Sequence, residues 1–175
     1  MDVVIKSGTL NDIDEIEELY GSVSDYFNAN INYCGWKRGA YPARRDAVKD
    51  IADGTSYIAI VDDKIAGVIV LSHELVQNPD SGSWLIDAEP EEVLNIYRFA
   101  VRPDFLRRGI GLSLLNFTDQ MAREKGVKSI RLDVYEGNIP AIKVYEKFGY
   151  SYIDKVDLGL GCYGLDLFRL YEKLV

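Results

Sequence analysis

Between Phe99 and Gly111 the chain reads Phe-Ala-Val-Arg-Pro-Asp-Phe-Leu-Arg-Arg-Gly-Ile-Gly. Its first residues continue an apolar, strand-like run that Pro103 ends, and Ile110, Leu114, Phe117 and Met121 then recur at helical spacing. The spacing predicts a helix that opens on Gly109 and Gly111. The first turn of a helix carries N–H groups without intrahelical partners and a partial positive charge. Glycine lets an anion approach that backbone closely. Arg98, Arg102, Arg107 and Arg108 crowd the same stretch against a single acid, Asp104. The chemistry these residues allow is the binding of a phosphate group. The competing reading is a helix start with glycine for close packing and arginine for solubility. No Lys-Ser/Thr pair follows the glycines, so this is not a GxxxxGK[ST] loop. Leu114 stands where a GxGxxG fingerprint needs glycine.

Other reactive side chains are sparse. Asn138, with Pro140 just behind it, reads as the cap of a short helix. Tyr145 shares a face of that helix with Ala141, Val144 and Phe148, which on periodicity alone makes it a core aromatic. His73 is the only histidine and sits at a strand end, where a surface or capping role is the ordinary one. Cys34 and Cys162 are far apart in sequence and read as reduced thiols, and with one histidine no metal site is expected.

The elements that must hold these groups alternate between helix and strand without repeats or linkers. Residues 2–7 read as a strand. Thr9 and Asp12 form a capping-box pattern before a helix whose buried face is Ile13, Ile16, Tyr20, Val23 and Phe27. Its other face, Asp14, Glu15, Glu17 and Glu18, reads as solvated. An irregular aromatic stretch follows over 28–42, and a second helix over 43–53. Strands over 55–61 and 65–71 meet at Asp62-Asp63, which is hairpin chemistry. The segment 77–83 reads as a loop, Val93–Val101 as a strand, and Ile130, Leu132 and Val134 as another. Two last strands, near 150–157 and 166–174, flank the glycine-rich run 159–164.

Two motifs in this order, Val101-Arg-Pro-Asp-Phe-Leu-Arg-Arg-Gly-Ile-Gly111 and Asn138-x-x-Ala141-x-x-x-Tyr145-Glu-Lys-Phe-Gly-Tyr150, resemble the GCN5-related N-acetyltransferase family. The resemblance covers most of the chain. It implies an α/β (α+β) fold in a single domain over 1–175. A central mixed, mostly antiparallel sheet of six to seven strands, splayed at its middle, would be flanked by about four helices. It implies acetyl-CoA as cosubstrate, with the pyrophosphate on the amides of Arg107, Arg108, Gly109, Ile110 and Gly111. The pantetheine arm would pair with the backbone of Phe99, Ala100 and Val101, and Asn138 and Ala141 would help to hold it. Tyr145 matches the family's general acid, which protonates the departing thiolate. The family's phosphate loop begins with Arg or Gln where this chain has Leu106. Its early-strand Glu, the usual base, corresponds to Asn95. Glu92 and Tyr97 are the substitutes nearest in sequence, with a water relay as the other route. The aromatic stretch supplies candidates for the acceptor pocket: Tyr26, Tyr33, Trp36 and Tyr41. Relatives commonly form homodimers through their late strands.

Composition narrows the partners. The 175 residues carry a formal net charge of −8, and seven of the first 27 are Asp or Glu. Such a charge repels nucleic acid and anionic membrane surfaces and favours a cationic small-molecule or peptide amine. No apolar run reaches the ~20 residues of a membrane span, and no signal peptide is visible, so the expectation is a cytoplasmic protein. The function expected is acetyl transfer to a primary amine. The alternatives are a non-catalytic acyl-CoA-binding module and a protein N-terminal acetyltransferase.

Overall fold

A left-handed pair, Asp62 (φ 48°) and Asp63 (φ 58°), closes the two-residue hairpin that the sequence announces. The structure is a computed structural model describing residues 2–74 and 84–175; the loop expected over 77–83 lies outside them. In chain order the elements are β1 (Val4–Ser7), α1 (Ile13–Asn28), α2 (Arg44–Ala52), β2 (Ser56–Val61), β3 (Lys64–Ser72), β4 (Val93–Val101), α3 (Ile110–Glu124), β5 (Ser129–Tyr135), α4 (Ile139–Lys147), β6 (Ser151–Val156) and β7 (Phe168–Leu174). The seven strands form one open sheet in the order β1-β2-β3-β4-β5-β7-β6. β1–β2, β2–β3, β5–β7 and β6–β7 are antiparallel, and β4–β5 is parallel. That parallel ladder runs only from Val93↔Ser129 to Ile96↔Leu132, whereas β4 continues to Val101 and β5 to Tyr135.

Contacts group the chain into two units. One comprises Met1–Asn32, Trp36–Leu71 and Tyr97–Thr118; the other comprises Tyr33–Gly35, Ser72–Ile96 and Asp119–Val175. In the first unit, the Asp12 carboxylate accepts the Thr9 N–H at 2.8 Å, which is the capping box read from sequence. The apolar face of α1 (Ile16, Leu19, Tyr20, Val23) packs on Ala47, Ile58, Ile65, Val68 and Ala100. The acidic face is not merely solvated. Asp14 and Glu17 hold Arg44, and Glu18 and Asp25 hold Arg38. Glu15 accepts the Ile65 N–H at 2.7 Å. The pairs to Arg38 and Arg44 are exposed and add little stability.

Gly67 of β3 is where α3 comes down on the sheet. A Cβ there would lie 2.9 Å from Ile110 Cγ2, 3.0 Å from Leu114 Cδ1 and 3.1 Å from the Ala100 carbonyl oxygen. Gly67→Ala is therefore expected to cost about 1–3 kcal/mol by overpacking. Urea unfolding measures this, and an unchanged midpoint would contradict the packing.

In the second unit, the carboxylate of Glu172 is fully buried and fully engaged. It accepts from Arg131 Nε at 2.9 Å, from Ser129 Oγ at 2.5 Å and from the Leu85 N–H. The Arg131 guanidinium also donates to the Ile86 carbonyl and lies 4.3 Å over the Trp84 ring. On α4 the buried face differs from the periodicity reading. Ile142 and Tyr145 are buried while Val144 is 44% exposed. The short helix presses its Tyr145 side inward, and Val144 falls one step beyond that stripe.

Candidate active site

The first unit carries the segment read from the sequence as a phosphate site. The exit of β4 is fixed by the Arg102 N–H, which donates to the Ala66 carbonyl at 2.8 Å. Pro103–Phe105 then makes one 3-10 turn. Arg107 (φ 60°) and Gly109 (φ 83°) both take left-handed backbone before α3 begins at Ile110. Gly109 does so at no steric cost, whereas a side chain there would be strained. At Gly111 the space is tight: a Cβ would lie 3.3 Å from Phe99 Cζ, close enough that the ring would have to give, and 3.7 Å from Val101 Cγ2, an ordinary contact. So Phe99 and Val101 face the start of α3. The side chain of Ala100 enters the core on the α1 side. Arg107, Arg108 and Gly109 are exposed at the helix start. The Arg108 N–H is engaged by the Phe105 carbonyl at 3.4 Å, and its guanidinium lies 5.3 Å over the Phe105 ring. The first-turn amides of α3 are the donors this geometry offers to an anion.

The second unit carries Asn138, Ala141 and Tyr145. Asn138 Oδ1 accepts the Ala141 N–H at 3.3 Å, so the side chain caps α4 as expected. Tyr145 is 6% exposed and its ring meets the Tyr150 ring edge-on at 5.7 Å. Burial raises the Tyr145 phenol above its usual range, and the nearby charge of Asp133 adds to the effect. The phenol therefore stays neutral and keeps its proton.

Asp133 is the residue that sequence reasoning missed. It lies on β5 one position past Leu132, where the ladder to β4 ends. Burial pushes its carboxyl up to about 6, opposed only by its own backbone N–H. Among the described residues no cation pairs with it. A carboxylate that titrates near neutral pH is suited to accept a proton. In sequence it is one polar residue of an alternating strand, with no spacing to mark it.

The bases named from sequence lie elsewhere in their surroundings. Glu92 accepts the Glu89 N–H at 3.2 Å and pairs with Lys128 Nζ at 2.5 Å. That pairing holds its carboxyl below the usual range, which weakens it as a proton acceptor. Tyr97 is the β4 residue just past the ladder and is half-buried. Asn95 is buried and donates from Nδ2 to the Glu74 carbonyl at 2.7 Å. His73 Nδ1 lies 2.7 Å from the Val93 carbonyl oxygen.

Of the acceptor candidates, the structure brings Trp36 and Tyr41 together, edge-on at 6.5 Å, with Trp36 also edge-on to Tyr20 at 5.8 Å. Tyr26 is exposed, stacks edge-on with Phe27, and lines a groove of about 450 Å³ with Glu18, Asp25, Arg38 and Arg102. Tyr33 belongs to the second unit.

Comparison with known proteins agrees with this architecture. The model of the Acetyltransferase (GNAT) family matches residues 16–150, and the chain belongs to that family. It is 28% identical over 147 residues to an uncharacterized N-acetyltransferase of Methanocaldococcus jannaschii, covering 84% of this chain and 60% of that protein. It is 30% identical over 81 residues to the [ribosomal protein bS18]-alanine N-acetyltransferase of Escherichia coli, covering 46% of this chain and 55% of that one. The chain thus spans somewhat over half the length of these curated relatives. Among solved structures, the PaiA N-acetyltransferase of Thermoplasma acidophilum in complex with coenzyme A superposes with a TM-score of 0.73 at 19% identity, covering all of both chains. That likeness speaks for the fold.

Proposed function

We propose that the protein, acting as one domain, transfers the acetyl group of acetyl-CoA to a primary amine of a small molecule or peptide by direct attack in a ternary complex. The observation that carries this reading is the strand–turn–helix over 99–111, with left-handed Gly109 and close-packed Gly111, inside a family match that spans 16–150. The first-turn amides of α3, with Arg107 and Arg108, hold the pyrophosphate. The backbone of Phe99, Ala100 and Val101 receives the pantetheine arm, with help from Asn138 and Ala141. Acetyl-CoA supplies the activated acyl group.

The amine nitrogen attacks the thioester carbonyl carbon, the C–S bond breaks, and the nitrogen loses a proton. Asp133 accepts that proton, and Tyr145 donates to the departing thiolate. A thiolate with a pKa of ~8.5 is less basic than a buried tyrosinate. Tyr145 therefore acts chiefly by hydrogen bonding to the developing charge, and solvent completes the protonation. The charge of −8 favours cationic acceptors. The activities in the names of the relatives, including action on an alanine of a ribosomal protein, support an amine acceptor and leave room for a peptide N-terminus.

The first test is binding. A ligand at ~100 times its Kd stabilises the native state by about 2.7 kcal/mol, which raises Tm by several degrees. Saturating acetyl-CoA is expected to give that shift in a thermal melt. An unchanged Tm would overturn both the catalytic reading and the binding-only reading that Leu106 and Asn95 favour.

A further inference from the structure

Two residues after its ladder with β5 ends, β4 bends: Arg98 sits at φ 37°, in the left-handed region that a side chain disfavours. Something must hold it there. Arg98 reaches across to α2, where its Nε donates to Asp50 Oδ2 at 2.8 Å and its Nη2 to Asp50 Oδ1, a bidentate pair. Asp50 is 2% exposed. Burial pushes its carboxyl up and Arg98 opposes that push. For Arg98, burial works against the charge and Asp50 outweighs it. Arg98 Nη1 also donates to the Tyr41 hydroxyl at 3.4 Å, and Tyr41 is edge-on to Trp36. The neutral phenol of Tyr20, 1% exposed, lies within reach of the same charges.

A buried ion pair is a poor way to gain stability, because desolvation offsets most of the attraction. What this one does is geometric. The next three residues, Phe99, Ala100 and Val101, are those offered to the pantetheine arm. Their alternation, with Ala100 in the α1 core and Phe99 and Val101 facing Gly111, starts from the bend. We infer that Asp50 is a positioning residue for the cosubstrate: by clamping Arg98 in its left-handed conformation it sets the backbone of Phe99–Val101 for acetyl-CoA. This rests on the acetyl-CoA reading above.

The test compares acetyl-CoA affinity, by calorimetry, and KM in Asp50→Ala and in Asp50→Ala/Arg98→Gly, well below each variant's Tm. Asp50→Ala leaves the bend strained and Arg98 unpaired, and a displaced backbone of this kind is expected to weaken affinity ~10-fold or more. In the double variant no charge is left buried and glycine adopts positive φ unaided, so affinity is expected to recover most of the loss. Wild-type affinity in folded Asp50→Ala would overturn the inference, as would a double variant no better than the single one. Should Asp50→Ala not fold, Arg98→Lys carries the test, since lysine keeps the charge but not the fork. Weakened acetyl-CoA binding by that variant supports the clamp, and unchanged binding overturns it. Wild-type protein that fails to bind acetyl-CoA overturns the parent reading instead, a result visible before any variant is made.

Discussion

Asp133→Asn is expected to lower kcat by about 10²-fold or more at pH 7.5 and, at the same pH, to raise Tm. The two effects have one cause. Burial holds the Asp133 carboxyl at about 6, above the ~3.9 of an unfolded chain. Between those values the native state binds more protons than the unfolded state, so stability falls as pH rises through that window. Above it the destabilisation is fully present, and asparagine, of nearly the same shape, removes it. Below pH ~4 both states are protonated and the variant gains nothing. If Asp133 is the base proposed above, the same titration governs turnover with the opposite sign. Only the carboxylate accepts the amine's proton, so the wild-type rate should rise with pH through an inflection near 6 that the variant lacks. A structural aspartate would show the stability change without loss of turnover. Turnover within a few-fold of wild type, measured together with the melt, would remove Asp133 from the mechanism.

Tyr145→Phe is expected to lower kcat about 10²-fold while leaving the KM for acetyl-CoA close to wild type. The phenol is held neutral by burial and by Asp133, so it is a donor throughout the working pH range. In the proposed mechanism its hydrogen bond to sulfur strengthens as charge develops there, which would make the interaction one of the transition state rather than of binding. The ring, which packs edge-on to Tyr150, remains in the variant, so the fold should survive. Phenylalanine with normal turnover would return Tyr145 to the packing role that its helical periodicity alone suggests. A substrate with a better thiol leaving group should narrow the gap between the two proteins.

Local chemistry was legible in the sequence wherever neighbours in the chain decide the outcome. Thr9 and Asp12 announced the start of α1, Asp62-Asp63 the hairpin, Pro103 the end of β4, and Asn138 the cap of α4. The mixed, mostly antiparallel sheet follows from the family resemblance, whereas its strand order and the short parallel β4–β5 ladder are seen only in the structure. Groups that matter through partners distant in sequence were not legible. Asp50 and Arg98 are separated by 48 positions; in sequence Arg98 reads as one of the basic cluster at 98–108, and nothing there marks Asp50 as its partner. Glu172 looks like one acid in a mixed strand, yet it is the buried acceptor for Arg131, Ser129 and Leu85. Asp133 depends on burial, which no local spacing encodes. Glu92 shows the converse. It stood near the right strand in sequence, but its pairing with Lys128 sets its chemistry.

The most direct measurement mixes the wild-type protein with acetyl-CoA and a panel of primary amines, from polyamines and aminoglycoside-like compounds to basic peptides with free N-termini. It follows free CoA thiol and the mass of each amine. The predicted result is thiol release that depends on at least one amine, matched mole for mole by that amine gaining an acetyl group. Acetyl-CoA that raises Tm but releases no thiol with any amine would contradict acetyl transfer and leave a module that only binds the cosubstrate.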